Sequence, residues 1–161
     1  MATARVSYLG NLRTSCEHLA SGTKILTDAP VDNQGKGEAF SPTDLVATSL
    51  ASCMMTIMGI YCQTHEITFE SCEATIEKHM ASSPRRIEKI VVNMDLNGNN
   101  WDELTRKKVI MAGRACPVAI TLEGNVELEF NYIKWNNNVQ KENTAQNART
   151  SFLVFAPLSK Q

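Results

Sequence analysis

Residues 41 to 62 read Ser-Pro-Thr-Asp-Leu-Val-Ala-Thr-Ser-Leu-Ala-Ser-Cys-Met-Met-Thr-Ile-Met-Gly-Ile-Tyr-Cys, and this stretch decides the fold. Ser41 is a natural N-cap, and Pro42 occupies the first helical position, where its missing N–H costs nothing. Asp44, three residues past the cap, can return a hydrogen bond to the cap backbone. From Leu45 to Cys62 no residue is charged, so the spacing predicts a helix that is apolar on nearly every side. A run of that length raises the question of a membrane span. Thr48, Ser49, Ser52 and Thr56 dilute its hydrophobicity and no basic flank orients it, so the expectation is a buried helix packed through small residues. In a domain of this size, burial on every side is easiest if a second subunit covers one face.

Before this helix, segments around Val6 to Leu9, Leu12 to Leu19 and Lys24 to Leu26 are separated by Gly10-Asn11 and Ser21-Gly22, the pattern of an antiparallel meander. Asp28 to Gly37 is a loop by its Pro, Asn, Asp and Gly content. After the helix the period changes to two. Cys72, Ala74 and Ile76 alternate with polar residues, as do Ile90, Val92, Met94 and Leu96, with Pro84-Arg85-Arg86 as the connection. Asn97 to Asn100 is a turn. Asn100 with Glu103 signals a second helix over residues 101–114, with Trp101, Leu104, Met111 and Ala115 on roughly one face. Pro117 then opens a new helical turn closed at Gly124. Val126, Leu128, Phe130 and Tyr132 form a last strand. The order of three strands, helix, two strands, helix and strand is an α+β arrangement.

The chain has 161 residues, which suits one domain, read as residues 1–134. Residues 135–161 are rich in Asn, Gln, Thr and Lys and form a polar tail or linker, with a short apolar end at Phe152 to Pro157. A net charge of -1 steers the protein toward neither nucleic acid nor an anionic membrane. The first residues lack the basic-then-apolar pattern of a secretory signal, so a cytoplasmic location is expected.

Five cysteines is an odd number, which in a reducing compartment points to free, catalytic or metal-bound thiols rather than a disulfide framework. No C-x-x-C pair occurs and His18, His65 and His79 show no ligand spacing, so no metal is expected. Cys53, in Leu-Ala-Ser-Cys-Met-Met, reads either as a small core residue or as a reactive thiol. Cys116 precedes a proline at a helix break, where amide donors and the positive dipole end favour thiolate. Cys16, Cys62 and Cys72 read as structural.

Gly35 to Leu45 (GKGEAFSPTDL), the small-residue run ending in Cys53, and Arg114-Ala115-Cys116-Pro117-Val118 together resemble the OsmC/Ohr family of organic hydroperoxide reductases, as a divergent OsmC-like branch. The resemblance covers residues 1 to about 134 and implies an OsmC-like fold: antiparallel sheets wrapped around long central helices in an intertwined homodimer, with two sites at the interface. It implies Cys53 as the peroxidatic cysteine and Cys116 as the resolving one, joined by a disulfide after attack on a hydroperoxide. A dithiol reductant would restore both thiols, and no bound cofactor is implied. Met54, Met55, Ile57 and Phe40 would suit a fatty or aromatic hydroperoxide. Where family members carry a Glu after the Asn-Pro that opens the helix, this chain has Thr43, with Asp44 next. The loop from Asp28 to Phe40 has no arginine, which leaves Arg13 as the candidate activating cation. The alternative is a binding protein that keeps the fold and holds small hydrophobic ligands in the interface pocket without turnover.

Overall fold

The helix that begins after Ser41 forms as its opening residues dictate. In a computed structural model that describes residues 1–133, Ser41 is extended, its side chain accepts a hydrogen bond from the Asp44 N–H, and the Asp44 carboxylate accepts from the Ser41 N–H. This reciprocal cap contributes about 1 kcal/mol. The helix, α1, runs over Pro42–Thr64. Its inner side is Ala47, Leu50, Ala51, Met54, Met58 and Cys62, all buried. The described residues do not cover its other side, where Val46 and Ile60 are exposed. By length and composition α1 could cross a membrane, but here it is the core helix of the chain.

Three strands, β1 (Ala4–Gly10), β2 (Arg13–His18) and β3 (Lys24–Asp28), make the antiparallel meander expected. Val6, Tyr8, Ile25 and Leu26 lie exposed on this sheet. A single turn of 3-10 helix at Val31–Asn33 punctuates the loop to α1. Gly35 closes that loop against itself: a Cβ there would stand 1.7 Å from the Ala29 carbonyl oxygen, so no other residue fits.

The second sheet holds β4 (Glu73–Ser82), β5 (Arg85–Asp95) and β6 (Glu127–Tyr132) in the order β4-β5-β6. Its β4–β5 hairpin is tighter than the sequence suggests. Arg85 and Arg86 already pair with Ser82 and Ala81, which leaves Ser83-Pro84 as the turn. A second departure is direction: β6 pairs with β5 in parallel. Between them lie helices α2 (Glu103–Arg114) and α3 (Pro117–Leu122), the kind of crossover that returns a chain in the same direction. The core lies between this sheet and α1, built on Leu50, Met54, Met58, Ile90, Val92, Met94, Leu96 and Val109. Each such side chain contributes roughly 1.5–3 kcal/mol on burial.

Helix α2 starts later than expected and buries a different face. Asp102, not Asn100, is the N-cap, its side chain accepting from the Thr105 N–H at 2.6 Å. Trp101 stays outside the helix, donating to the Thr68 carbonyl and packing on Phe69. Leu104 and Met111 are exposed, while Val109 and Gly113 face α1. Gly113 is the reason for the rotation, because a Cβ there would lie 2.4 Å from the Met58 methyl and 3.3 Å from the Met54 carbonyl oxygen. The glycine lets two helices approach at their backbones. Asn99 locks the turn before α2: it is buried, accepts from the Glu70 and Ser71 N–H groups and donates to the Ser71 and Leu96 carbonyls. The tail from 135 to 161 lies outside the described residues.

Candidate thiol site

Cys53 sits midway along α1, at the edge of its buried side and partly exposed. Cys116 is the N-cap of α3, as its place before Pro117 suggested. Its sulfur is fully buried and accepts a hydrogen bond from the Ala119 N–H at 3.3 Å. The two thiols are free, and Cys53 lies near enough to Cys116 to act on it electrostatically. Packing of α3 on α1 thus brings together two side chains far apart in the chain.

Their environments differ. Burial pushes the Cys116 thiol up, the Ala119 amide pulls it partly back, and the neighbouring Cys53 adds to the rise. Cys116 is enclosed, whereas Cys53 is partly exposed and is the member a reactant can reach. The other cysteines lack this arrangement. Cys72 is pushed up to about 11 by burial and the Asp95 carboxylate, and burial also raises Cys62. Cys16 lies on β2 of the first sheet.

Arg13, the candidate cation, lies elsewhere in the chain. Its guanidinium pairs with the Asp28 carboxylate at 3.3 Å and with the Glu38 carboxylate. Among the described residues no hydrogen bond or ion pair links Arg13 to either thiol. Hydrogen bonding to Glu38, then to Asp28, raises its already high pKa, so the guanidinium stays charged. The Glu38 N–H, followed against burial by Arg13, holds Asp28 below the ordinary carboxylate value.

One further residue, which the sequence left unmarked, completes a charged region. Lys78 of β4 donates to Asp44 at 2.6 Å and to Thr43 at 2.8 Å, with Ser41 at 3.4 Å. Glu38, Phe40, Asp44, Ala47, Thr48, Ile76 and Lys78 border a cavity of about 630 Å³. Lys78 could have been noticed, since it shares its strand phase with the inward-facing Ala74, Ile76 and Met80. Cys53 does not line this cavity: at roughly 100° per residue it points about 120–140° around α1 from Ala47 and Thr48. Thiol pair and charged cavity therefore occupy different sides of one helix. Among the described residues, no three His, Cys, Asp or Glu side chains gather as a metal site.

Known proteins share this fold. The family model described as OsmC-like protein matches residues 35–131. A solved structure from Psychrobacter arcticus 273-4, described provisionally as an osmotic stress induced and detoxification response protein, is 46% identical over 83% of this chain and 96% of its own, with a TM-score of 0.77. The fold is shared with an organic hydroperoxide resistance protein OsmC from Legionella pneumophila, 17% identical over 83% and 98% of the two chains with a TM-score of 0.66. It is shared too with OhrB of Bacillus subtilis, 15% identical over 82% and 98% with a TM-score of 0.59. No curated protein matches significantly. With a family model over more than half its length and a near relative at 46% identity, this chain belongs to the OsmC-like family of the OsmC/Ohr group.

Proposed function

We propose that the chain is a redox protein of peroxide stress, and more narrowly a thiol-dependent peroxidase that reduces organic hydroperoxides. The observation that carries this reading is the free Cys53–Cys116 pair, one thiol accessible and the other buried and protonated. The Cys53 thiolate attacks the distal oxygen of the hydroperoxide. The O–O bond breaks, the alkoxide takes a proton and leaves as an alcohol, and Cys53 becomes a sulfenic acid. Cys116 then attacks that sulfur, water leaves, and a disulfide forms. The two thiols have supplied the two electrons that reduce the peroxide. An external dithiol returns them by exchange, so the cycle requires no bound cofactor.

The working unit in this reading is a homodimer. Its support is apolar surface that the described residues leave bare, at Val46 and Ile60 on α1 and at Val6, Tyr8, Ile25 and Leu26 on the first sheet. The test is peroxide consumption with cumene hydroperoxide and a dithiol. The wild type is expected to turn over and Cys53→Ser to be inactive; an unchanged rate in Cys53→Ser overturns the reading.

The cavity favours a second reading, the carriage of a small hydrophobic ligand without turnover, because Phe40, Ala47 and Ile76 give it an apolar lining. Saturable binding of a fluorescent fatty acid that survives Cys53→Ser, in a protein inert toward peroxides, would select this reading.

A further inference from the structure

The Lys78–Asp44 ion pair stands at the border of an apolar space. Phe40, Ala47 and Ile76 border the cavity of about 630 Å³ together with Glu38, Asp44 and Lys78, a size and lining that suit a small organic molecule. The Lys78 side chain is 15% exposed and donates at short range to Asp44 and Thr43, at 2.6 Å and 2.8 Å. Its third contact, to Ser41, is long at 3.4 Å, so one ammonium proton is only loosely held. Asp44 accepts the Ser41 N–H on Oδ2 and Lys78 on Oδ1, and its side chain is 39% exposed, which leaves lone pairs for a further donor. A donor and an acceptor thus lie side by side next to apolar side chains. A head group that answers both must accept one hydrogen bond and donate another, as an O–H group does. A carboxylate head can only accept, and it would meet the carboxylates of Asp44 and Glu38 against the single ammonium of Lys78.

We propose that the Lys78–Asp44 pair is the head-group site of this cavity, selecting apolar molecules that end in a neutral O–H, an alcohol or a hydroperoxide, over those that end in a carboxylate. The head accepts from the Lys78 ammonium and donates to the Asp44 carboxylate, while the tail lies against Phe40, Ala47 and Ile76. No covalent bond forms or breaks. This rests on the reading in which the cavity holds a small hydrophobic ligand, and it adds what that ligand carries at its end. One hydrogen bond to a charged partner separates such ligands by roughly tenfold in Kd.

The experiment is calorimetric titration of the full chain at neutral pH with 1-octanol, octyl methyl ether and octanoate, which share a tail and differ in the head. Octanol is expected to bind roughly tenfold more tightly than the ether, which cannot donate to Asp44, and than octanoate, which cannot donate and is repelled. In Lys78→Met the three affinities should converge, and in Asp44→Asn octanoate should gain on octanol; the second variant serves if the first is too unstable to titrate. Octyl hydroperoxide, offered to Cys53→Ser, separates the two O–H classes: the tighter of hydroperoxide and alcohol is the class selected, and a hydroperoxide and alcohol both no better than the ether overturn the proposal. Equal binding of octanol and ether, tighter binding of octanoate, or a ranking unchanged in both variants overturns the proposal and leaves the cavity reading standing. Binding of none of these ligands overturns the cavity reading and the proposal with it.

Discussion

The Lys78 ammonium stands 2.6 Å from the Asp44 carboxylate and so ties the middle of β4 to the first turn of α1. A lysine beside a helix N-terminus opposes the helix dipole, and here Asp44, Thr43 and Ser41 together offset that repulsion. Burial pushes Asp44 up, but the hydrogen bonds from Lys78 and Ser41 outweigh it and hold the carboxyl below its ordinary value. A carboxyl lowered in the folded state contributes stability that is present above its unfolded pKa and is lost as pH falls through the folded one. Lys78→Met should therefore cost about 1 kcal/mol at neutral pH and less in acid, below the ordinary carboxylate range. Denaturant melts at both pH values check this, and a cost independent of pH would contradict it.

Asn99 makes a second prediction, about stability alone. All four of its hydrogen bonds go to backbone groups of the turn and of residues 70–71. Asn99→Ala leaves those groups unpaired and should cost about 1–3 kcal/mol or more. Chemical denaturation measures the loss, and no loss would mean that water replaces the amide fully.

At the α1–α2 contact, Gly113→Ala should be destabilising although alanine is the better helix former. The new methyl must displace the end of Met58 and press on the Met54 carbonyl. Gly113→Ala combined with Met58→Ala should recover part of the loss, as a change in the denaturation midpoint would show. Additive losses would contradict a steric cause.

The unequal burial of the thiols predicts an order of modification. Iodoacetamide at neutral pH should label Cys53 before Cys116, which is fully buried and held protonated by its surroundings. Peptide mapping of a time course reads this directly. Equal rates would remove the distinction on which their assigned roles rest.

Much of this fold was legible because its signals are local. Ser41, Pro42 and Asp44 specify a helix start within one turn, and Cys116-Pro117 specifies another, so α1 and α3 begin where expected. What the sequence left open is non-local. Asn100 and Asp102 are both competent caps, and the choice was made by Trp101, held against Phe69 outside the helix. The buried face of α2 was set by the room at Gly113, not by Leu104 and Met111. The parallel pairing of β6 followed from the crossover that precedes it, which strand alternation does not encode. In the site, Cys53 and Cys116 are neighbours through the packing of α3 on α1, a long-range contact that neither local sequence specifies. The partners of Arg13 were not legible, because Asp28 and Glu38 sit in a stretch whose composition says only that it is a loop.

The central claim, that Cys53 and Cys116 act as one redox pair, has a direct measurement. Reduced protein is treated with one equivalent of cumene hydroperoxide, and its disulfides are mapped by peptide mass spectrometry without reduction. The account predicts loss of two hydrogens and a single Cys53–Cys116 linked peptide, with Cys116→Ser stopping at a Cys53 sulfenic acid that dimedone traps. Oxidation at Cys16, Cys62 or Cys72 in place of Cys53, or thiols left unchanged by the hydroperoxide, would contradict it.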